Sequence, residues 1–520
     1  MRLHDALDYH ARERGDADLA VQDGRRISYR QAQAATERIA AALIDAGLAP
    51  GDRMAVLSKN SIEYVLLYYA ASRVGVVPVP LNYRLAPAEW AWIVNDAGAR
   101  LLIATADYLA AVDGVRAGLG SVARFVAVGA VAEGWTPWEA WLAAAPATTV
   151  DRVIGDDHVL YQMYTSGTTG RPKGALLTHR AVTSNLAQFA LAFEPRFGER
   201  WLVVVPMYHA SGAVTSFAAI NGGGCLDIHR DFSPAAVVRA LAEEGIGRTS
   251  LVPAMIQACL LAVPDAAERA YPSLRFIAYG ASPIAEGTLR RAMATFKCDF
   301  LQAYGMTETS AVLTYLLPAD HARALADKPG LLLSAGRPIA GTELRIVDEQ
   351  DRPVPNGTIG EIVARGPQLM QGYWNRPQES AEALRGGWMH TGDAGVLDDE
   401  GYVYVQDRVR DMIVSGGENV YPRVVEDVLF EHPALADAAV IGVPDATWGE
   451  TVKAVVVLRP GARCSEAEVI EFCRGRLGGF ERPRSVDFVE TLPRNPSGKV
   501  LKRVLREQYW SGHARRVAGA

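Results

Sequence analysis

The sequence is short of the features that mark secreted, membrane-spanning or nucleic-acid-binding chains. It has five cysteines in 520 residues, an odd number with no C-x-x-C pair. That excludes a disulfide framework and a redox dithiol, and it predicts reduced thiols in a cytoplasmic protein. The first residues, MRLHDALDYHARERGD, carry acids and lack the apolar centre of a secretory signal. The longest uncharged run, Trp201–Leu226, is broken by Pro206, His209, Asn221 and consecutive glycines, so no membrane-spanning helix is predicted. No lipidation signal ends the chain. A basic surplus is missing too: the net charge is −6, which argues against nucleic acid as a partner.

What is present is an ordinary globular balance, 49% hydrophobic and 22% charged residues. A chain this long exceeds one hydrophobic core, which predicts two or more domains. Residues 1–150 read as helices alternating with short buried strands: a helix from Ser28, a strand over Arg53–Leu57, a helix over Ile62–Ala71 and an extended run from Val76. The alanine- and glycine-rich stretch 105–150 carries little pattern and reads as a surface excursion. The alternation resumes from 155 to about 335, with strands over Leu202–Val205, Ser273–Tyr279 and Asp299–Tyr304. Each runs into glycine and small or polar residues, which is where open α/β sheets bind ligands.

From about 340 to 405 a period-2 pattern, as in Leu344-Arg-Ile-Val-Asp and Glu361-Ile-Val-Ala-Arg, predicts a small antiparallel barrel. An α+β pattern follows, with Pro422 early in one helix and Ser465 with Glu468 as a capping box for another. The expected fold class is therefore α/β. A large N-terminal domain, residues 1–408, holds two α/β subdomains and the small antiparallel β-barrel. A small α+β C-terminal domain covers residues 409–520.

The densest chemical signal is Tyr164–Gly174, YTSGTTGRPKG, set between two apolar segments. Its glycines free backbone N–H groups to turn toward an anion, its hydroxyls add donors, and Lys173 adds a positive charge. The stretch does not have the Walker form, because no glycine stands directly before a lysine followed by Ser or Thr. A helical pattern begins only later, through Val182, Leu186, Phe189 and Phe193. Strand, loop, strand, then helix is the expected order.

With five further segments in order, this stretch resembles the adenylate-forming superfamily: acyl-CoA synthetases, peptide-synthetase adenylation domains and luciferases. The resemblance covers roughly residues 50 to 505 and is most similar to the fatty-acid–CoA ligases. It implies that Thr165, Ser166, Gly167, Thr168, Thr169, Gly170 and Lys173 hold the ATP phosphates. GAS (280–282) and QAYGMTET (302–309) are then the walls of the AMP site: Gly280, Ala281, Ser282, Ala303, Tyr304, Gly305, Met306 and Thr307. Tyr304 would stack on adenine, Thr307 would meet the α-phosphate, and Glu308 would hold Mg²⁺. PMYHASG (206–212) resembles the segment beside the acyl pocket, which makes His209 a candidate catalytic and pocket residue with Ala281, Ala303 and Gly305. On its own, His209 would read as a packed core histidine.

TGD (391–393) implies that Asp393 accepts the ribose hydroxyls, with Arg408 toward the same sugar. The segment 407–426 resembles the crossover between domains. It implies a hinge at Arg410 and a coenzyme A tunnel lined by Ser415, Gly416 and Gly417. PRNPSGK (493–499) resembles the loop that carries the adenylation lysine, here Lys499, on a mobile C-terminal domain. Two positions depart from the family pattern: Arg410, where Asp or Lys is commoner, and Asn495, where Thr is common.

The implied reaction joins a carboxylic acid to ATP as acyl-AMP, releases pyrophosphate, and passes the acyl group to CoA. ATP, Mg²⁺ and CoA are the expected cofactors and co-substrates. The expected acid is a medium- to long-chain fatty acid. An aryl acid, walled by Tyr208 and Phe217, is the alternative, as is transfer to an amine or carrier protein. A P-loop kinase and a non-catalytic scaffold are the readings from other classes. The first is disfavoured by the form of the loop, the second by the joint presence of Lys499, Glu308 and Asp393. The expected partners are small molecules, with no nucleic acid and no stable membrane insertion, and a homodimer is compatible with the composition.

Overall fold

The computed structural model describes residues 1–146, 152–165, 172–408, 411–415, 418–445, 447–494 and 500–510. Among the site residues named above, Ser166, Gly167, Thr168, Thr169, Gly170, Arg410, Gly416, Gly417 and Lys499 lie outside the described residues.

Two parallel-sheet layers form the body. The first sheet runs, in spatial order, Val77–Pro80, Arg53–Leu57, Ala99–Thr105, Arg124–Val128 and Thr136–Pro137, all parallel. Arg53–Leu57 falls where its apolar run predicts. The stretch 105–150 is a correction. It supplies two strands of this sheet, and Val126, Trp138 and Trp141 are buried in the core. The pattern hid this because those strands are short and the helix Trp138–Ala144 is only two turns long.

The second sheet has nine strands. Its middle order is Asp299–Tyr304, Phe276–Gly280, Ile246–Leu251, Arg200–Val203, Cys225–Ile228 and Asp18–Gln22, every neighbouring pair parallel. Asp18–Gln22, which the sequence pattern did not mark as a strand, thus belongs to the second sheet through its pairing with Cys225–Ile228. Between the layers lies the helix Ile62–Val74, capped by the Ser61 hydroxyl on Tyr64 N–H. Tyr64, Tyr68 and Tyr69 are all buried on it, as expected for a helix with apolar residues all round.

Residues 343–408 form the expected antiparallel unit, a four-stranded half-barrel ordered Glu343–Val347, Gly360–Arg365, Met389–Leu397 and Val403–Arg408. A separate three-stranded sheet joins Val159–Thr165, Lys173–Thr178 and Gly372–Tyr373. Beyond it the chain forms a compact α+β unit. Its sheet contains Glu418–Val420, Ile413–Ser415, Gly449–Leu458 and Leu435–Asp445, with Ser485–Phe488 alongside. Pro422 opens its first helix, and Ser465 with Glu468 forms the expected capping box. No helix among the described residues is long and apolar enough to cross a membrane. All five cysteines are free.

Candidate active site

Four parallel strands bring their carboxyl ends to one edge of the second sheet: Arg200–Val203, Ile246–Leu251, Phe276–Gly280 and Asp299–Tyr304. In register, Gly280 lies opposite Ala303, so GAS and YGMTET emerge side by side. A Cβ on Gly280 would meet the Ala303 carbonyl oxygen at 2.1 Å, and one on Gly305 would meet the Ala311 oxygen at 2.4 Å. Both glycines are therefore required by backbone packing. Their smallness is not by itself evidence of room for an acyl chain. Ala281 follows with φ of +66°, and Ser310 and Ala311 stand at +53° and +89°. Such left-handed non-glycine residues cost about 1–3 kcal/mol each and cluster at ligand sites.

Tyr304 leaves the second sheet and reaches the half-barrel. Its hydroxyl donates to Asp393 Oδ2 at 2.8 Å. Thr391 orients this aspartate: its hydroxyl donates to the Ile362 carbonyl at 2.7 Å and accepts the Asp393 N–H at 3.1 Å. Glu361 holds the same turn from behind, accepting Gly392 N–H at 2.9 Å and lying 2.8 Å from His390 Nδ1. Burial works against the ionised form of Glu361, but His390, Gly392 and Arg385 hold its carboxyl below the usual range. Asp393 is opposite Arg408 in the antiparallel ladder. The residues expected at adenine and ribose thus meet, although they belong to different sheets.

Glu308 sits in a 3₁₀ turn, Thr307–Thr309, closed by the Thr309 hydroxyl, which accepts Met306 N–H at 3.1 Å. It is buried, 4% exposed, and Tyr373 Oη donates to its Oε1 at 2.8 Å. Two hard carboxylate oxygens in a buried turn, one already oriented by a hydroxyl, are a fitting donor set for Mg²⁺.

The strands Val159–Thr165 and Lys173–Thr178 form the predicted antiparallel pair, and Thr165 faces Lys173 at the mouth of the loop. The following helix, His179–Phe193, starts with Thr178 as its cap, well past the lysine, which confirms that this is not a Walker arrangement. Lys173 Nζ lies 5.1 Å from the centre of the Tyr373 ring. Below the loop, Asp96 accepts the Tyr164 hydroxyl at 2.7 Å and pairs with Arg376 at 2.9 Å. Tyr373, Asp96 and Arg376 were missed by sequence reasoning. Nothing local distinguishes Asp96 at the end of an amphipathic helix, and Tyr373 and Arg376 lie in a stretch read only for its strand period.

At the other end, His209 is the N-cap residue of the helix Ala210–Asn221. Asn60 and Tyr68 position the turn before it. Asn60 Oδ1 accepts Met207 N–H at 2.8 Å, and the Tyr68 hydroxyl donates to the Met207 carbonyl at 3.1 Å. Burial lowers the His209 pKa to about 4, with Arg84 adding to the effect, so the ring is neutral near pH 7. Among the described residues, neither its buried Nε2 nor the buried Tyr208 hydroxyl has a hydrogen-bond partner. Tyr208 packs edge-on against Tyr83, with ring centres 5.2 Å apart. Phe217, expected as a pocket wall, is instead in the core, packed on Tyr68, Tyr69 and Tyr161. Ala303 and Met306 pack on the core cluster that includes Met207, Ala210 and Val214.

In the C-terminal unit, Ser415 is buried and pairs with Glu418. An antiparallel bridge between Arg494 and Val500 closes the base of the segment containing residue 499. The last helix, Lys502–Trp510, is pinned by Lys502 on Glu426 at 2.9 Å and by Arg506 on Asp411 at 2.5 Å.

Comparison with known proteins gives the same reading. Residues 7–374 match the family model described as AMP-binding enzyme, and residues 424–499 match AMP-binding enzyme C-terminal domain. A long-chain-fatty-acid–CoA ligase of Mycobacterium tuberculosis is 37% identical over 487 residues, covering 93% of each chain. A feruloyl-CoA synthase of Amycolatopsis sp is 38% identical over 504 residues, 96% of this chain and 97% of that one. Among solved structures, ATP-bound MatB from Rhodopseudomonas palustris superposes with a TM-score of 0.89 at 30% identity, covering 99% of this chain and 100% of that one. The chain belongs to the AMP-binding enzymes, the adenylate-forming superfamily, as an AMP-forming acid–thiol ligase of the acyl-CoA synthetase type.

Proposed function

We propose that the protein activates a medium- to long-chain fatty acid through acyl-AMP and transfers the acyl group to coenzyme A. The observation that supports the adenylation half is the contact between Tyr304 and Asp393, which brings together from two separate sheets the residues we read as adenine face and ribose acceptor. In the first step a carboxylate oxygen attacks the α-phosphorus of ATP and pyrophosphate leaves. In the second, the CoA thiol attacks the acyl carbon, the tetrahedral centre collapses, and AMP leaves.

Thr165, Lys173 and the loop between them hold the β- and γ-phosphates, and Thr307 contacts the α-phosphate. Glu308 holds Mg²⁺, which when bound neutralises phosphate charge. Lys499 stabilises charge developing between the carboxylate and the α-phosphate. We place the division between the two domains after residue 408, with Arg410 as the hinge. The C-terminal domain swings about it so that Ser415, Gly416 and Gly417 replace Lys499 for the thioester step. His209 acts as a neutral wall of the acyl pocket. It is not a general acid in this scheme, since burial keeps the ring unprotonated, and a pKa of about 4 makes it a weak base.

The aromatic grouping of Tyr83, Tyr208 and His209 supports a second reading, an aryl acid, in line with the feruloyl-CoA synthase relative. The test is pyrophosphate and AMP release over saturated acids of increasing length and over aromatic acids, with and without CoA. The fatty-acid reading expects the highest kcat/KM for an aliphatic acid, with CoA consumed one for one. Release of ADP in place of AMP overturns the adenylation step. A preference for aromatic acids overturns the aliphatic assignment alone.

A further inference from the structure

The segment 370–376 touches both parts of the phosphate-binding apparatus. Met370 N–H donates to the Glu308 carbonyl at 2.7 Å, and the Tyr373 hydroxyl donates to Glu308 Oε1 at 2.8 Å. Two residues of the same segment, Gly372 and Tyr373, pair as a strand with Leu176 and Ala175 on the outgoing stem of the loop. Trp374 N–H donates to the Gly174 carbonyl at 2.8 Å, and the Lys173 ammonium stands over the Tyr373 ring. The far end is tied down by Asp96. Its backbone carbonyl accepts Trp374 Nε1–H at 3.0 Å, and its carboxylate takes Arg376 on one oxygen and the Tyr164 hydroxyl on the other. Tyr164 is on the incoming stem. One short segment is thus bonded directly to the outgoing stem of the loop and to the buried acid, and through Asp96 to the incoming stem.

We propose that Tyr373 is a positioning residue for adenylation: its hydroxyl orients the Glu308 carboxylate toward the divalent cation while its ring seats the Lys173 ammonium. This rests on the reading of Glu308 as the metal-binding acid. A carboxylate on a short turn can rotate about its last torsion. A donor on Oε1 removes that freedom and directs Oε2 and the remaining lone pairs to one side. Hydrogen bonds of this kind, one step behind a metal ligand, commonly change metal affinity by about 10–100-fold. The ring face adds a cation–π contact that keeps Lys173 at the loop mouth before nucleotide arrives. Metal site and phosphate cation are then held in one geometry by a single side chain.

The experiment measures ATP binding by calorimetry in the absence of any acid substrate, once with Mg²⁺ and once with EDTA. Tyr373→Phe keeps the ring and loses the hydroxyl. Its Kd for ATP is expected to rise about tenfold with Mg²⁺ and to stay unchanged in EDTA, with thermal unfolding unaltered. Tyr373→Leu also removes the ring, and its Kd is expected to rise in EDTA as well. Glu308→Gln is the control and should abolish the gain that Mg²⁺ gives the parent. If Glu308→Gln keeps that gain, the assignment of Glu308 to the metal fails, and the proposal with it. If Glu308→Gln loses the gain but Tyr373→Phe binds Mg²⁺ and ATP like the parent, the positioning role alone is overturned. A packing role would move the unfolding temperature of Tyr373→Phe and leave its Mg²⁺ dependence in place, which also overturns it.

Discussion

The two ends of the proposed site, the one read as binding nucleotide and the one read as binding the acyl group, are built on different principles. At the nucleotide end, the acids named from the sequence are met by hydroxyls from elsewhere in the chain, Asp393 by Tyr304 and Glu308 by Tyr373. The backbone there is strained at Ala281, Ser310 and Ala311, and its glycines have no room for a Cβ. At the acyl end, Tyr208 and His209 are packed among aromatic rings, with buried polar atoms that lack partners among the described residues. A charged transition state needs donors and acceptors fixed in advance, because reorganising them during the reaction would cost the stabilisation they provide. An apolar pocket selects by shape, and each methylene discriminates by only about 1–3 kcal/mol. Relatives of almost equal identity carry fatty-acyl and feruloyl names.

The comparison can be broken most directly at Lys499. Lys499→Ala should lower the adenylation rate by roughly 10²–10³, while thioester formation from supplied acyl-AMP is spared. Equal adenylation rates in variant and parent would take Lys499 out of the nucleotide end. Next, Asp393→Ala removes the acceptor of the Tyr304 hydroxyl and, in the proposed function, of the ribose. Charge-assisted hydrogen bonds are worth about 1.5–3 kcal/mol, so kcat/KM for ATP should fall about 10–100-fold with little change in KM for the acid. A larger effect on the acid than on ATP would contradict the division between the two ends.

Gly305→Ala tests whether the nucleotide end is rigid. Its new Cβ meets backbone at 2.4 Å and 2.7 Å, so about 1–3 kcal/mol of stability should be lost in denaturant unfolding. Retained stability would mean that the strand end gives way easily.

His209 offers a test by pH. Its folded pKa of about 4 is below the ordinary 6.5, so the unfolded chain takes up the proton first on acidification. Its contribution is fully present above pH 6.5 and is lost as pH falls toward 4, at about 1.4 kcal/mol per pH unit. His209→Phe should flatten the stability–pH curve by that slope across this window. An unchanged slope would show that the ring is not neutral and buried. The smallest effect belongs to Tyr208→Leu, which loses ring contacts worth about 0.5–1.5 kcal/mol. Relative kcat/KM for aromatic over aliphatic acids should fall, by about tenfold or less. No change would remove Tyr208 from the pocket.

Much of the nucleotide end was legible in the sequence because its parts are local. The Tyr164–Gly174 stretch, GAS, YGMTET and TGD each carry turn and loop chemistry within a few residues, and the strands before them have clear periods. Ser28 and the Ser465–Glu468 pair likewise announce their helices. What was misread lacked such signals. The strand Arg124–Val128 is short and flanked by alanine and glycine, and Asp18–Gln22, not marked as a strand by its pattern, joins the second sheet through a pairing with Cys225–Ile228 some two hundred residues away. Phe217 has the composition of a pocket wall and the surroundings of a core residue.

The sequence by itself determined the class of chemistry, since a phosphate loop, an acid for a cation and an acceptor for ribose must be specific residue types at specific local spacings. Only the tertiary structure decided that Tyr304 reaches Asp393 across two sheets and that Tyr373 joins Glu308 to the phosphate loop. It also decided that Asp96 ties the incoming stem of that loop, through Tyr164, to the 370–376 segment, through Arg376. Such contacts depend on where separately formed sheets pack against one another. No spacing along the chain records that, because sheet packing is set by the burial of whole apolar faces and not by the residues that happen to meet at their edges.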